Sequence, residues 1–436
     1  MAFEYAKAML GEAVLKQGLR YLADNPETNL IKLLKWGETI AREEVHKQYI
    51  QRWLELFEDE NNNWRRFIVR VLKQAHPNVI NKLGVNFFIN AGVLAPAARE
   101  RAEKKHGVHI PWAMLIDPTG RCNLACKGCW AAEYDRTLDM DYSTLDRVIT
   151  EAEELGIRFI VVSGGEPLVR MHELLNGTLI DSEAARQFAE AGNVTFAISL
   201  EGFEEQTDAR RGNGVFAKVM RAMDNLKEAG VVFGFSATYT RNNTEVVGSE
   251  RFIDLMVEKG CAFGWLFTYV PVGGQADIAY MATPEQRKWM YEQVRKWRQE
   301  KPIFVADFWN DGAAVGGCIA GGRSYFHINA MGDVEPCAFI HYANVNIKNT
   351  SLVDALKCAL FRAYQARQPF NLNHMRPCPL IDNPKALEEI VAESGAYPTQ
   401  RNRISASQLC QPLYGYAEAW GKIADRIWQE QAPAAT

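Results

Sequence analysis

The sequence predicts an α/β protein, a parallel sheet or partial barrel with helices outside it. Three observations carry this reading. Between about residues 109 and 310, short β-rich runs alternate with helical runs: "WAMLI" precedes "YSTLDRVITEAEELG", "VTFAISLEG" precedes "GVFAKVMRAMDNLKEAG", and "VVFGFSATYT" precedes "EVVGSERFIDLMVEKG". Such alternation builds parallel sheets and barrels. Residues 1–108 read as helical almost throughout, with Pro77 as punctuation. Residues 311–385 are loop-rich and hold Cys318, Cys337, Cys358 and Cys378, and residues 386–436 return to helix, with Trp420, Ile423 and Trp428 on one stripe.

In the first region, Leu30, Leu33, Leu34 and Ile40 share a helical face, and Trp64, Phe67, Ile68 and Val71 repeat the pattern. A helical cap on the catalytic domain is the expectation. A second reading concerns "LGVNFFINAGVLAPAA", followed by the basic "RERAEKKH". Apolar residues beside positive charge suit peripheral contact with a membrane surface or a lipid-like substrate.

Composition sets the bounds. The chain has 436 residues, 47% hydrophobic and 23% charged, which suits a globular protein with a sizeable core. A net charge of −4 gives no basic field for nucleic acid. The start lacks a continuous apolar run, so a secretory signal is not expected. The longest uncharged runs, Leu83–Ala98 and Cys261–Ala276, are broken by Asn, Gly and Pro and do not read as membrane spans. Nine cysteines without an export signal point to reduced thiols and a cytoplasmic location.

The chemistry is concentrated in "GRCNLACKGCW", where Cys122, Cys126 and Cys129 share one tight loop after the first strand. Strands of such sheets end at the ligand-binding edge. Structural zinc usually takes four protein ligands, so a zinc knuckle is the weaker reading. Thiolates this close hold iron–sulfur clusters. Three of them on a four-iron cube leave one iron open for a small molecule. "CNLACKGCW" resembles the signature of radical S-adenosylmethionine (SAM) enzymes. The resemblance extends over residues 110–385. It implies a [4Fe–4S] cluster whose open iron chelates the methionine moiety of SAM. It also implies a partial (β/α)6 barrel. Trp130 then packs near the adenine. "SGGEP", with Gly164, Gly165 and Glu166, meets the methionine amino group. Ser199 and Glu201 of "ISLEG" are candidates for the ribose hydroxyls, and Arg211 of "DARRG" for the SAM carboxylate, or else for an ion pair with Asp208.

One departure from the family stands out. The interval from Pro167 to Ser199 is too short for the usual helix, third strand and second helix. The barrel is expected to be defective there, with the third strand missing or reduced to a few residues near "GTLI".

Downstream, thirteen residues separate Cys318 from Gly332, and four separate Gly332 from Cys337. This resembles the opening of a SPASM or twitch domain, which implies an auxiliary [4Fe–4S] cluster. Cys318, Cys337 and Cys378 are the first ligand candidates, with Cys410 a candidate for the fourth. Cys358, in a helical pattern, and Cys261 read as core thiols. Asp307, Asn310 and Asp311 follow a late strand and are candidates to face the cavity as proton acceptors or polar anchors, or to form an Asx turn. Tyr269 and Tyr134 are weaker cavity candidates.

The resemblance implies reductive cleavage of SAM to a 5′-deoxyadenosyl radical, fed by a flavodoxin- or ferredoxin-type donor. That radical abstracts hydrogen from a C–H bond of a sizeable substrate, hydrophobic or lipid-like on the evidence of the N-terminal region. A peptide-modifying maturase is the alternative. A non-catalytic iron–sulfur electron carrier is the alternative from outside enzymology.

Overall fold

A computed structural model describes residues 14–41, 43–167 and 180–431. Its centre is two four-stranded sheets. The first runs β2 (Phe159–Val162), β1 (Ala113–Ile116), β7 (His327–Ile328), β8 (Val334–Glu335). The second runs β3 (Phe196–Ser199), β4 (Phe233–Tyr239), β5 (Phe263–Thr268), β6 (Phe304–Asp307). Every pairing in them is parallel except β7 with β8. Phe233, Phe235, Ala237 and Tyr239 of β4 are buried, as expected of a parallel strand covered on both faces.

The expected defect falls mainly on residues 168–179, outside the described residues. Among the described residues, no strand lies between Val162 and Phe196. β2 and β3 are accordingly edges of different sheets.

Helix ends follow the sequence signals. The Tyr142–Leu155 helix begins where the Asp141 carboxylate accepts from the Thr144 N–H at 2.8 Å, and it ends at Gly156 with φ 80°. The Pro284–Glu300 helix has a reciprocal capping box between Thr283 and Gln286.

Among the described residues, the N-terminal region is helical and packs on the sheets' outer helices. A continuous helical run covers Pro77–His106, with a π-helical middle at Val85–Leu94. By length and composition it could cross a membrane. Both its ends are instead tied to the barrel. Asn78 donates to the Ala189 carbonyl at 3.0 Å, and Arg99 donates to the Gly156 carbonyl at 3.1 Å. Phe87 and Phe88 in its middle are exposed.

One buried ion pair joins the barrel to the C-terminal half. Arg287 is fully buried and pairs with Asp382, Nη1 to Oδ1, at 2.6 Å. It donates to Asn310 Oδ1 at 3.0 Å and to the Trp309 carbonyl at 3.1 Å. Its guanidinium lies 4.1 Å from the Trp420 ring centroid. Asp382 in turn accepts from the Cys378 N–H at 3.0 Å. Asp307 closes β6 in the same network and does not face open space. It accepts from Tyr239 at 3.3 Å and from Asn310 at 2.7 Å. Asp311 forms the turn, accepting from the Asp307 N–H at 2.8 Å and pairing with Arg298 at 2.5 Å. Burial, with Asp311 nearby, pushes the Asp307 carboxyl up to about 7.

The network can be probed in two ways. Arg287→Met strands Asp382 without a partner, and urea melts are expected to lose about 3–5 kcal/mol. The raised pKa of Asp307 means that the folded state holds its proton more tightly than the unfolded chain. That contribution is full below the ordinary carboxylate pKa and is lost as pH rises through about 7. Stability should therefore fall as pH rises from the ordinary carboxylate range to just above about 7, and Asp307→Asn should flatten that slope in melts taken across the range.

Candidate active site

The cysteine loop, residues 118–135, contains no helix or strand. Its shape is set by what presses on it. Ser163, Gly165 and Glu166, leaving β2, donate their N–H groups to Ile116, Thr119 and Arg121 at 2.9, 3.0 and 2.7 Å. A Cβ on Gly165 would lie 2.1 Å from the Arg121 carbonyl oxygen, and one on Gly164 (φ 110°) 2.7 Å from that of Thr119. "SGGEP" thus lies directly on the cysteine loop because it has no side chains in the way. Gly128 (φ 63°) is backed by the Tyr269 ring, so Tyr269 is a buried support of the loop.

From the other side, Arg210 holds the loop through its Nε, donating to the Lys127 carbonyl at 3.1 Å. Arg211 is not paired with Asp208, whose carboxylate caps the backbone at Gly214 and Phe216. It pairs instead with fully buried Glu201, Nε to Oε1, at 2.8 Å. Burial opposes the Arg211 charge, but Glu201 and the thiol of Cys126 outweigh it. Glu201 and Arg211 therefore gather beside the triplet, and Ser199 ends β3 two residues before Glu201.

All nine cysteines are free. Burial pushes the Cys122 and Cys129 thiols up, and the neighbouring thiols add to it. A positively charged core would relieve both effects, which is the donor chemistry of a metal cluster. Among the described residues, no three ligating side chains converge on a single ion. A cluster spreads its thiolates over several irons, and three thiols on one loop are a donor set it can take.

A second thiol group forms behind the loop. The Tyr325 hydroxyl lies 2.9 Å from Cys337 Sγ, and that of Tyr364 lies 3.3 Å from Cys318 Sγ. Both tyrosines also lie near Cys378. The structure thus brings Cys318, Cys337 and Cys378 together. Cys410 is not brought to them. It is buried on the Ala406–Cys410 helix, near Tyr342 and Tyr414. Cys358 caps a helix in the core.

Sequence reasoning passed over the polar group beside Trp130. His327 lies between two carboxylates, Nε2 to Asp117 at 2.8 Å and Nδ1 to Glu335 at 2.7 Å, all fully buried. Burial opposes its charge, but the two acids push its pKa up to about 10. The Tyr134 hydroxyl donates to Glu335 at 2.8 Å and meets His341 Nδ1 at 2.5 Å. Burial holds the His341 pKa down at about 4, so its ring is neutral. The one sequence hint was a run of three ionisable residues, His327, Glu335 and His341, around "GDVEPC".

Comparison with known proteins agrees with this geometry. A profile described as the radical SAM superfamily matches residues 169–245, and one described as a 4Fe–4S single cluster domain matches residues 118–196. An AdoMet-dependent heme synthase of Oleidesulfovibrio alaskensis is 29% identical over 304 residues, covering 58% of this chain and 76% of that protein. The mycofactocin maturase of Mycolicibacterium smegmatis is 28% identical over 272 residues, covering 56% of this chain and 68% of its own. The crystal structure of Streptococcus suis SuiB bound to precursor peptide SuiA aligns over 72% of this chain and 78% of that one, at 15% identity and a TM-score of 0.49. With both profile matches lying on the loop and strands that build the site, the chain belongs to the radical SAM superfamily.

Proposed function

We propose that this radical SAM enzyme takes a hydrogen atom from a C–H bond of a sizeable hydrophobic substrate held along an aromatic wall. The wall is the observation that carries the reading. Trp130 meets Phe339 at 6.1 Å, and Phe339 meets Trp309 at 5.1 Å and Phe267 at 6.2 Å. Phe267 stacks on Phe308 at 4.7 Å, and Phe308, at the exits of β5 and β6, is partly exposed. One end of the wall is therefore beside the third cysteine and the other is open. Ring faces of this kind reward flat or aliphatic groups and few charges.

When bound, the [4Fe–4S] cluster and SAM supply the 5′-deoxyadenosyl radical, after one electron from a flavodoxin- or ferredoxin-type donor. Cys122, Cys126 and Cys129 hold that cluster. "SGGEP", Ser199, Glu201 and Arg211 orient SAM, and the wall keeps water from the substrate carbon. Cys318, Cys337 and Cys378 would hold an auxiliary cluster, which would supply a one-electron acceptor near the wall. Phe339 follows Cys337 by two residues, so wall and cluster share one turn. The mycofactocin maturase likeness favours the second reading, a peptide substrate.

Anaerobic reconstitution followed by reduction and SAM addition should give 5′-deoxyadenosine, and Cys126→Ala should abolish it. Replacing Cys318, Cys337 and Cys378 together with Ala should remove about four irons while leaving 5′-deoxyadenosine formation in place. Iron retained at the wild-type level would sink the auxiliary-cluster reading. For the substrate, the enzyme is offered a fully deuterated lipid extract or a deuterated peptide digest. Deuterium entering 5′-deoxyadenosine from the lipid pool alone is expected. Deuterium from the peptide pool alone overturns the hydrophobic-substrate reading in favour of a maturase.

A further inference from the structure

Trp130 is enclosed by four rings. His327 meets it edge-on at 5.5 Å, Tyr134 edge-on at 6.1 Å, His341 nearly parallel at 6.3 Å and 11°, and Phe339 at 6.1 Å. Three of those four rings are tied to one buried carboxylate. Glu335 accepts from Tyr134 at 2.8 Å, meets His327 Nδ1 at 2.7 Å, and reaches His341 through the Tyr134 hydroxyl. It also accepts from Asn329 at 3.0 Å and from Thr399 at 2.5 Å. Gln400, the residue after Thr399, donates to the Trp130 carbonyl at 3.0 Å. The backbone and the ring of Trp130 are therefore fixed by one assembly.

Buried polar groups are in large majority hydrogen-bonded. This network leaves two buried polar atoms without a partner among the described residues, Asp117 Oδ1 and His341 Nε2. Asp117 lies directly under Gly164, where a Cβ would come 2.8 Å from the Asp117 Cβ. His341 lies against the face of Trp130. The assembly therefore runs from beneath the glycine-rich stretch to the indole beside the third cysteine, and its open positions are at those two ends.

We propose that Glu335 is a positioning residue for SAM. It touches no ligand. It holds His327, Tyr134 and His341 around Trp130, and the fixed indole then presents a ready surface to the purine. Because Cys337 follows two residues later on the same turn, one hairpin both orders the SAM site and presents a thiol of the second group. This inference rests on the reading of the cysteine loop as a SAM site.

The test uses the full-length protein, reconstituted anaerobically, with SAM as the probe. Wild type, Glu335→Gln, Glu335→Asp and Tyr134→Phe are compared in three measurements. SAM affinity is read by equilibrium dialysis, turnover by release of 5′-deoxyadenosine across a SAM titration that separates kcat from KM, and cluster loading by iron content. Glu335→Gln is expected to weaken SAM binding about tenfold or more, as when a group that orients a ligand-binding residue is lost, and Tyr134→Phe about threefold, the size of one net hydrogen bond. KM should follow, with kcat at saturating SAM and iron content near wild type, and Glu335→Asp should recover part of the affinity. Unchanged affinity in Glu335→Gln overturns the proposal, as does a loss of iron and kcat at constant KM. If Glu335→Gln does not fold, Tyr134→Phe decides, and wild-type affinity there overturns it. Failure of the wild type to bind SAM overturns the SAM-site reading itself, and the wild-type arm separates that result from the others.

Discussion

A loop with no secondary structure must hold three thiols in fixed positions. Residues 118–135 make no sheet and no helix of their own, so their geometry is borrowed. The lenders are the C-terminal ends of parallel strands. The β2 exit lays Gly164 and Gly165 on the loop backbone. The β5 exit brings Gly273 so close that a Cβ there would be 2.3 Å from the Cys129 carbonyl oxygen. Glycine is required at such positions because two backbones share the space that a side chain would take. Strand ends are the right lenders because parallel sheets aim all of them at one edge.

What was legible in the sequence was local. The cysteine spacing, "SGGEP" and "ISLEG" each occupy one short stretch, and their meaning survives without knowing what lies opposite. Helix ends were legible for the same reason, since Asp141 or Thr283 caps a backbone group within three residues. Alternation between strand and helix signals gave the parallel sheets. The polar group beside Trp130 was not legible. Asp117, His327 and Glu335 meet only because β7 pairs with β1 in the register Leu115↔His327. A two-residue strand carries no periodicity, so nothing in the chain announced that pairing.

Asp307 and Asp311 show the same limit from another side. The sequence placed them correctly after a late strand. It could not say which way they turn. Arg287, on a helix about twenty residues earlier, draws Asn310 into a buried network, and Asp307 shares that network through Asn310. A carboxylate at a strand end faces a cavity only if no buried partner claims it first. Cys410 misses the second thiol group for a similar reason, because its helix buries it in the same core at a different place.

The same β1–β7 pairing changes how the C-terminal region should be understood. A segment that begins near residue 311 reads in sequence as a unit of its own. In the fold, its first hairpin extends the first sheet, and one core holds Met114 and Ile116 with Phe326, Phe361 and Leu380. The second sheet has its own core around Phe233, Phe235, Leu266 and Trp297. Labour is therefore divided by sheet and not by position in the chain. The second sheet supplies Ser199 at its edge, then Glu201 and Arg211 just beyond, from strands packed largely around their own core. The first sheet carries both thiol groups on elements that share hydrogen bonds and core. Cys337 follows Glu335 by two residues, and Glu335 is bonded to His327, whose ring borders Trp130. Two thiol groups built on one sheet in this way share their supports, through the hydrogen bonds of one hairpin and the side chains of one core.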